Sequence, residues 1–161
     1  PLQAEDGIRD ALVGLVGSEM CIRDRGGDDD WYDWPVELAR GELEWRELLI
    51  AEEDGRPVGF EQLIDARQEE SHYWGDDVAP GVWAIDIWLG SRVARGRGLG
   101  SVMLLQALAR CFDDDDAWEV WIDPRASNTD AIRFSERLGF EFVDERNFGD
   151  DHCRVYRFAR P

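Results

Sequence analysis

Arg95-Gly96-Arg97-Gly98-Leu99-Gly100 is the stretch whose residue types and spacing most directly suggest chemistry. Glycines allow positive φ and let successive N–H groups close on an anion, and a helix entered directly afterwards adds unsatisfied N–H groups and the positive end of its dipole. Such a loop suits a phosphate. The spacing lacks the Lys of a Walker loop. It also lacks the dinucleotide pattern, in which an acid on a following parallel strand binds ribose. The elements around it are readable. Val82 to Leu89 alternates as a strand before the loop, and Ser101 to Leu108 has helical spacing after it.

A second group consists of carboxylates. Transfer of an acyl group to nitrogen needs a free amine, so a site must bind the ammonium and then remove its proton. Asp86 stands in the middle of an apolar strand, where a charge is costly unless it is paired or faces a cleft. Flanking Ile85 and Ile87 put it on the opposite face from themselves, so an outward-facing surface residue is the alternative. Asp123 ends the next strand ahead of Pro124, where it can serve a ligand or cap the following helix. Cys111 lies near the end of the helix after the glycine loop, where the dipole disfavours a thiolate, and neither His72 nor His152 has the spacing of its base.

Downstream, Trp121 to Phe140 reads as a strand, a Pro/Ser/Asn helix entry, a helix over Ser127–Leu138 and a Gly139 stop. Together, Arg-x-x-Gly-x-Gly and this second segment resemble the acyl-CoA site of the GCN5-related N-acetyltransferases (GNAT). The resemblance implies an α/β GNAT fold: a mixed, mainly antiparallel sheet with helices on both faces. It implies acetyl-CoA as co-substrate. Its pyrophosphate would lie on Arg95, Gly96, Arg97, Gly98, Leu99, Gly100 and Ser101, its pantetheine arm along Ile87, Trp88 and Leu89, with further contacts from Asn128 and Ala131.

Gly59-Phe60-Glu61-Gln62, Tyr73-Trp74-Gly75-Asp76-Asp77, Pro80 to Asp86 and Ile122-Asp123-Pro124 are similar, more narrowly, to the aminoglycoside 6'-N-acetyltransferases, enzymes of antibiotic resistance. That similarity implies that Asp86 contacts or deprotonates the acceptor amine and that Asp123 binds a neighbouring amine. Trp74 would wall the sugar pocket, Gln62 would offer a polar contact and Asp151 would stand at the rim. Trp74 could equally be a loop anchor packed on the sheet. Trp31 and Trp34 would cover the cleft. The family's helix carries a Tyr acid for the leaving thiolate where this chain has Ser135, a shorter and weaker acid. Ser135 would act through a water, or the thiolate would leave unaided.

The whole chain sets the remaining bounds. With 161 residues and 43% hydrophobic content, one domain can bury a core. A net charge of -18 argues against nucleic acid and suits a small cationic amine. No membrane-spanning or secretory pattern is present, and 3 cysteines without metal-ligand spacing suggest a reduced, cytoplasmic protein that needs no metal. The acidic run Asp113 to Asp116 reads as solvated surface. All fixed cations are Arg.

Residues 3–25 look like translated sequencing-library adapter, so residues 1–25 are expected to be foreign and residues 26–161 to form the acetyltransferase domain, its first strand and helix missing or replaced. Other acceptors (a siderophore hydroxylamine, a polyamine or a peptide amine) fit the same cofactor site, and a non-catalytic acyl-CoA-binding module is a third reading. The expected oligomeric state is a monomer or a homodimer.

Overall fold

The computed structural model describes residues 8–11, 45–89 and 96–161. The chain forms two compact units, Pro1–Gln62 with Ile87–Leu104 and Leu63–Asp86 with Leu105–Pro161.

The first unit is a set of hydrogen-bonded strands followed by the start of a helix. Strand β1 (Ile8–Ala11) pairs antiparallel with β2 (Arg46–Glu53), aligning Ile8 with Glu53 and Ala11 with Ile50. β1 therefore occupies the adapter-like stretch. β2 turns into β3 (Arg56–Asp65) through Asp54 (φ 52°) and Gly55 (φ 74°), the two consecutive positive φ angles of a tight hairpin turn. Leu48 to Ala51 are buried as a continuous run, as in a strand covered on both faces. The strand order is β1-β2-β3-β4, with β4 at Val82–Leu89, and helix α1 (Leu99–Cys111) begins in this unit.

The second unit carries the remainder. β4 pairs in parallel with β5 (Glu119–Ile122), matching Val82 to Glu119 and Ala84 to Trp121. β5 pairs antiparallel with β7 (Asp151–Ala159), which forms a hairpin with β6 (Glu141–Phe148). The β6–β7 register shifts between Phe142 and Asp144, so Val143 is the extra residue of a bulge. Helix α2 spans Thr129–Arg137. Val82, Ala84, Val120, Val155 and Tyr156 form the tightest part of its core. The carboxylates of Asp113 to Asp116 face solvent as expected, but their backbone is held: the Arg160 guanidinium donates to the carbonyls of Phe112, Asp114 and Asp115.

The mixed, mainly antiparallel architecture agrees with the sequence pattern, and the helix read from Ser101 to Leu108 extends to Leu99–Cys111. The helix expected from Ser127 starts at Thr129, because Asn128 is its cap. Trp31, Trp34, Cys21 and Arg95 lie outside the described residues.

Candidate functional site

The glycine loop belongs to the first unit. Gly96 has φ 75° and Gly98 φ 83°, conformations that disfavour any side chain, and the space a Cβ would occupy at each is open. The Gly98 carbonyl accepts from the N–H groups of Ser101 and Val102, which starts α1. Ahead of those two bonds, the N–H groups of Leu99 and Gly100 have no acceptor within the helix, and the first turn carries no acidic residue to repel an anion. Arg97 is engaged elsewhere: its guanidinium makes a two-pronged contact with Glu53, both bonds 2.8 Å. Leu99 and Gly100 are buried, Ser101 is partly exposed, and Ile87, Trp88 and Leu89 are half-buried at the end of β4. Trp88 packs on Phe60 at 5.2 Å between ring centroids. Gln62, on β3 in this unit, is 4% exposed.

The acidic residues belong to the second unit. Counting two residues on from the Ala84–Trp121 pair brings Asp86 on β4 level with Asp123, just past β5. Asp86 is half-buried and Asp123 is 7% exposed. Asp123 does not cap α2. Its Oδ2 accepts from the Tyr73 hydroxyl at 2.5 Å, and the cap is Asn128, whose Oδ1 accepts from the Ala131 N–H at 3.1 Å. Any contact of Asn128 with a ligand through a donor therefore falls to its Nδ2. Asp151 accepts from Arg125 at 2.9 Å, which fixes it at the start of β7.

Trp74 is 7% exposed and anchors its loop among aromatic rings, 5.4 Å from both Trp121 and Phe148. Tyr73 stacks on Phe148 at 4.2 Å and 10°. The Glu69 carboxylate, itself buried, accepts from the N–H groups of Ser71 (2.8 Å) and Tyr73 (2.7 Å). Tyr73 and Glu69 carry no role on sequence grounds alone. The only local signal is a Glu two and four residues ahead of the N–H groups it binds.

Ser135 on α2 is 2% exposed, and its hydroxyl donates to the Ala131 carbonyl at 2.9 Å. This is the ordinary bond of a helical serine to the preceding turn. Cys111 and Cys153 are each 2% exposed, and the histidines face carboxylates, His72 Nδ1 3.0 Å from Asp76 and His152 Nε2 3.1 Å from Glu145. Burial of Tyr156, reinforced by the bond it donates to Glu136, raises its phenolic pKa.

The chain is 34% identical over 92 residues to an aminoglycoside N(6')-acetyltransferase type 1 of Klebsiella pneumoniae, covering 57% of this chain and 46% of the relative. It thus spans just under half the length of that relative. A kanamycin resistance protein of Rhizobium radiobacter is 34% identical over 73 residues, 45% of this chain and 68% of that protein. Among solved structures, the aminoglycoside acetyltransferase AAC(6')-Ib in complex with coenzyme A and kanamycin has a TM-score of 0.66 at 31% identity, over 74% of this chain and 69% of that one. The same enzyme in complex with paromomycin and acetyl-CoA has a TM-score of 0.79 at 23% identity, over 96% and 94% of the two chains, a likeness of fold. Residues 26–148 match the family model described as an acetyltransferase (GNAT) domain, and the chain belongs to that family.

Proposed function

We propose that this chain transfers an acetyl group from acetyl-CoA to a primary amine of a polycationic small molecule, an aminoglycoside 6'-amine. The observation that carries the reading is the pair of carboxylates, Asp86 on β4 and Asp123 just past β5, which the parallel Ala84–Trp121 register brings level when carried on two residues. Two acids at one level of a sheet, where strands lie about 4.8 Å apart, suit a ligand with more than one ammonium group. The relatives named for aminoglycoside acetylation and kanamycin resistance support it, as do the structures with coenzyme A and kanamycin.

Acetyl-CoA supplies an activated thioester. In this reading the open Gly96–Gly98 loop and the first turn of α1 hold its pyrophosphate through backbone N–H groups. Arg95 and Arg97 add positive charge, Arg97 by exchanging its Glu53 partner for phosphate. N–H groups at Ile87 to Leu89 polarise the thioester carbonyl. Asp86 takes the proton from the attacking amine, directly or through water, while Asp123 holds a second ammonium. Trp74 and Asp151 shape the acceptor side of the second unit. The Ser135 hydroxyl stays on Ala131, so the thiolate, a good leaving group, departs without it. Residues 26–161 constitute the domain that does this, a reading supported by the family match from residue 26 onward. The cytoplasm, where acetyl-CoA is available, is the compartment the reaction requires.

The test follows CoA thiol release with aminoglycosides carrying a 6'-amine and with their 6'-hydroxyl counterparts. Release with the first set alone is expected. Release with polyamines or peptides but no aminoglycoside would reassign the acceptor, and acetyl-CoA binding without release on any amine would make the chain a binding module.

A further inference from the structure

We propose that Tyr73 is a positioning residue of the acceptor site, holding Asp123 in the orientation that receives an ammonium group. The inference rests on the acceptor role of Asp123 given above, and it assigns a function to a residue 50 positions away in sequence.

Tyr73 is constrained at three points. Its backbone N–H is bound by the Glu69 carboxylate at 2.7 Å. Glu69 also holds the Ser71 N–H, so its two oxygens grip both sides of His72, whose φ of 53° is an unfavourable conformation for a residue with a Cβ. The strained turn is thus stabilised by a buried carboxylate. The Tyr73 ring then lies flat on Phe148 at 4.2 Å and meets Trp74 edge-on at 5.3 Å and 79°. With backbone and ring both fixed, the hydroxyl has one direction, and it ends 2.5 Å from Asp123 Oδ2.

A phenol donating to a carboxylate at that length is a charge-assisted bond, stronger than a neutral one. It acts on a residue just beyond the end of β5, ahead of Pro124, past the last residue of the strand. The Tyr73 bond sets the plane of the Asp123 carboxyl group before any ligand arrives, and such preorganisation lowers the cost of binding a cation. Glu69, Tyr73 and Asp123 therefore form a relay of position from a loop to the end of a strand.

The experiment is a double-mutant cycle on the full chain with kanamycin and acetyl-CoA. Tyr73→Phe keeps the stacked ring and removes the donor. It is expected to raise the kanamycin KM about tenfold, one decade being about 1.4 kcal/mol, with kcat changed less than about twofold and the acetyl-CoA KM unchanged. In an Asp123→Asn background the same change is expected to alter the kanamycin KM less than about twofold, because the carboxylate it positions is gone. A role confined to loop packing would persist in that background and move the acetyl-CoA KM as well, and that result would overturn the proposal. Wild-type turnover with an unaltered kanamycin KM in Tyr73→Phe would overturn it alone. Absence of wild-type turnover on any aminoglycoside would overturn the functional reading and this inference with it. Should Tyr73→Phe fold poorly, Tyr73→Met fills much of the ring's space with no donor and is expected to show the same KM split.

Discussion

Gly59 offers the sharpest test of how β3 and α1 pack in the first unit. A Cβ at this position would stand 2.5 Å from Met103 Cε, 2.8 Å from Met103 Sδ and 2.8 Å from the Trp88 carbonyl oxygen. The Met103 side chain is flexible, but it is fully buried, so it has little room to retreat. The Trp88 oxygen is backbone of β4 and yields less. Relieving such overpacking costs roughly 1–3 kcal/mol, and the restricted unfolded chain of an alanine returns roughly 0.4–1 kcal/mol. Gly59→Ala should therefore lose about 1–2 kcal/mol, a fall of roughly 2–8 °C in melting temperature for a chain of this size. Met103 lies one turn into α1, behind the glycine loop, and Trp88 lies in the segment assigned to the thioester. The acetyl-CoA KM should therefore rise while the kanamycin KM stays put. Calorimetric melting with steady-state kinetics reads both effects. A variant as stable as the wild type, or more stable, would show that the contact is loose and the packing argument wrong.

Four further expectations follow from single positions. Gly98→Val places a branched side chain at φ 83° where the phosphate would lie, so acetyl-CoA affinity should drop at least about tenfold by titration calorimetry; unchanged affinity in a folded variant would remove the loop from the cofactor site. Asp86→Asn keeps shape and loses the base, so kcat should fall about 100-fold or more with acetyl-CoA affinity intact, and wild-type turnover would return Asp86 to a surface role. Ser135→Ala removes a buried bond to Ala131 and should lower stability by about 1 kcal/mol while leaving kcat within about twofold; a tenfold loss of kcat would make the hydroxyl catalytic. Tyr156 has a pKa raised above its ordinary value of 10.0 by burial and by its bond to Glu136, so the folded state holds that proton more tightly than the unfolded chain. Its contribution is complete below that ordinary value and lost as pH rises through the higher folded value; Tyr156→Phe should flatten this alkaline slope of stability, and an unaltered slope would assign it to other groups.

Elements whose signals are local could be read from residue order. Asp54-Gly55 specifies a hairpin turn because both residues tolerate positive φ, and Gly139 with φ 93° ends the stretch after α2 because a Cβ is disfavoured there. The start of α2 was legible only as a cluster, Ser127-Asn128-Thr129. Which member caps it depends on a hydrogen bond to the Ala131 N–H, and three adjacent polar residues each have the chemistry to make one. The bulge at Val143 left no mark, since one extra residue in an exposed strand changes neither composition nor turn signals.

The site was legible in its residue types and obscure in its pairings. Asp86 and Asp123 stand out because a carboxylate in or beside an apolar strand needs a reason. Their common level depends on β4 and β5 running parallel, which a single sequence leaves open. Arg97 shows the reverse problem. As a basic residue inside a glycine loop it reads as a phosphate ligand, yet its fork is satisfied by Glu53, 44 residues earlier. A carboxylate offers the same two-pronged acceptor geometry as a phosphate, so the pairing leaves Arg97 competent for either partner. The exchange needs no large driving force, because both groups are partly exposed and such pairs are worth about 0–1 kcal/mol. Asp123 sits in the opposite regime. It is buried, the Tyr73 phenol donates to it, and that bond can persist when an ammonium arrives because donor and cation use different lone pairs. Long-range polar contacts at exposed positions thus hold residues in reserve, whereas those at buried positions fix them for use.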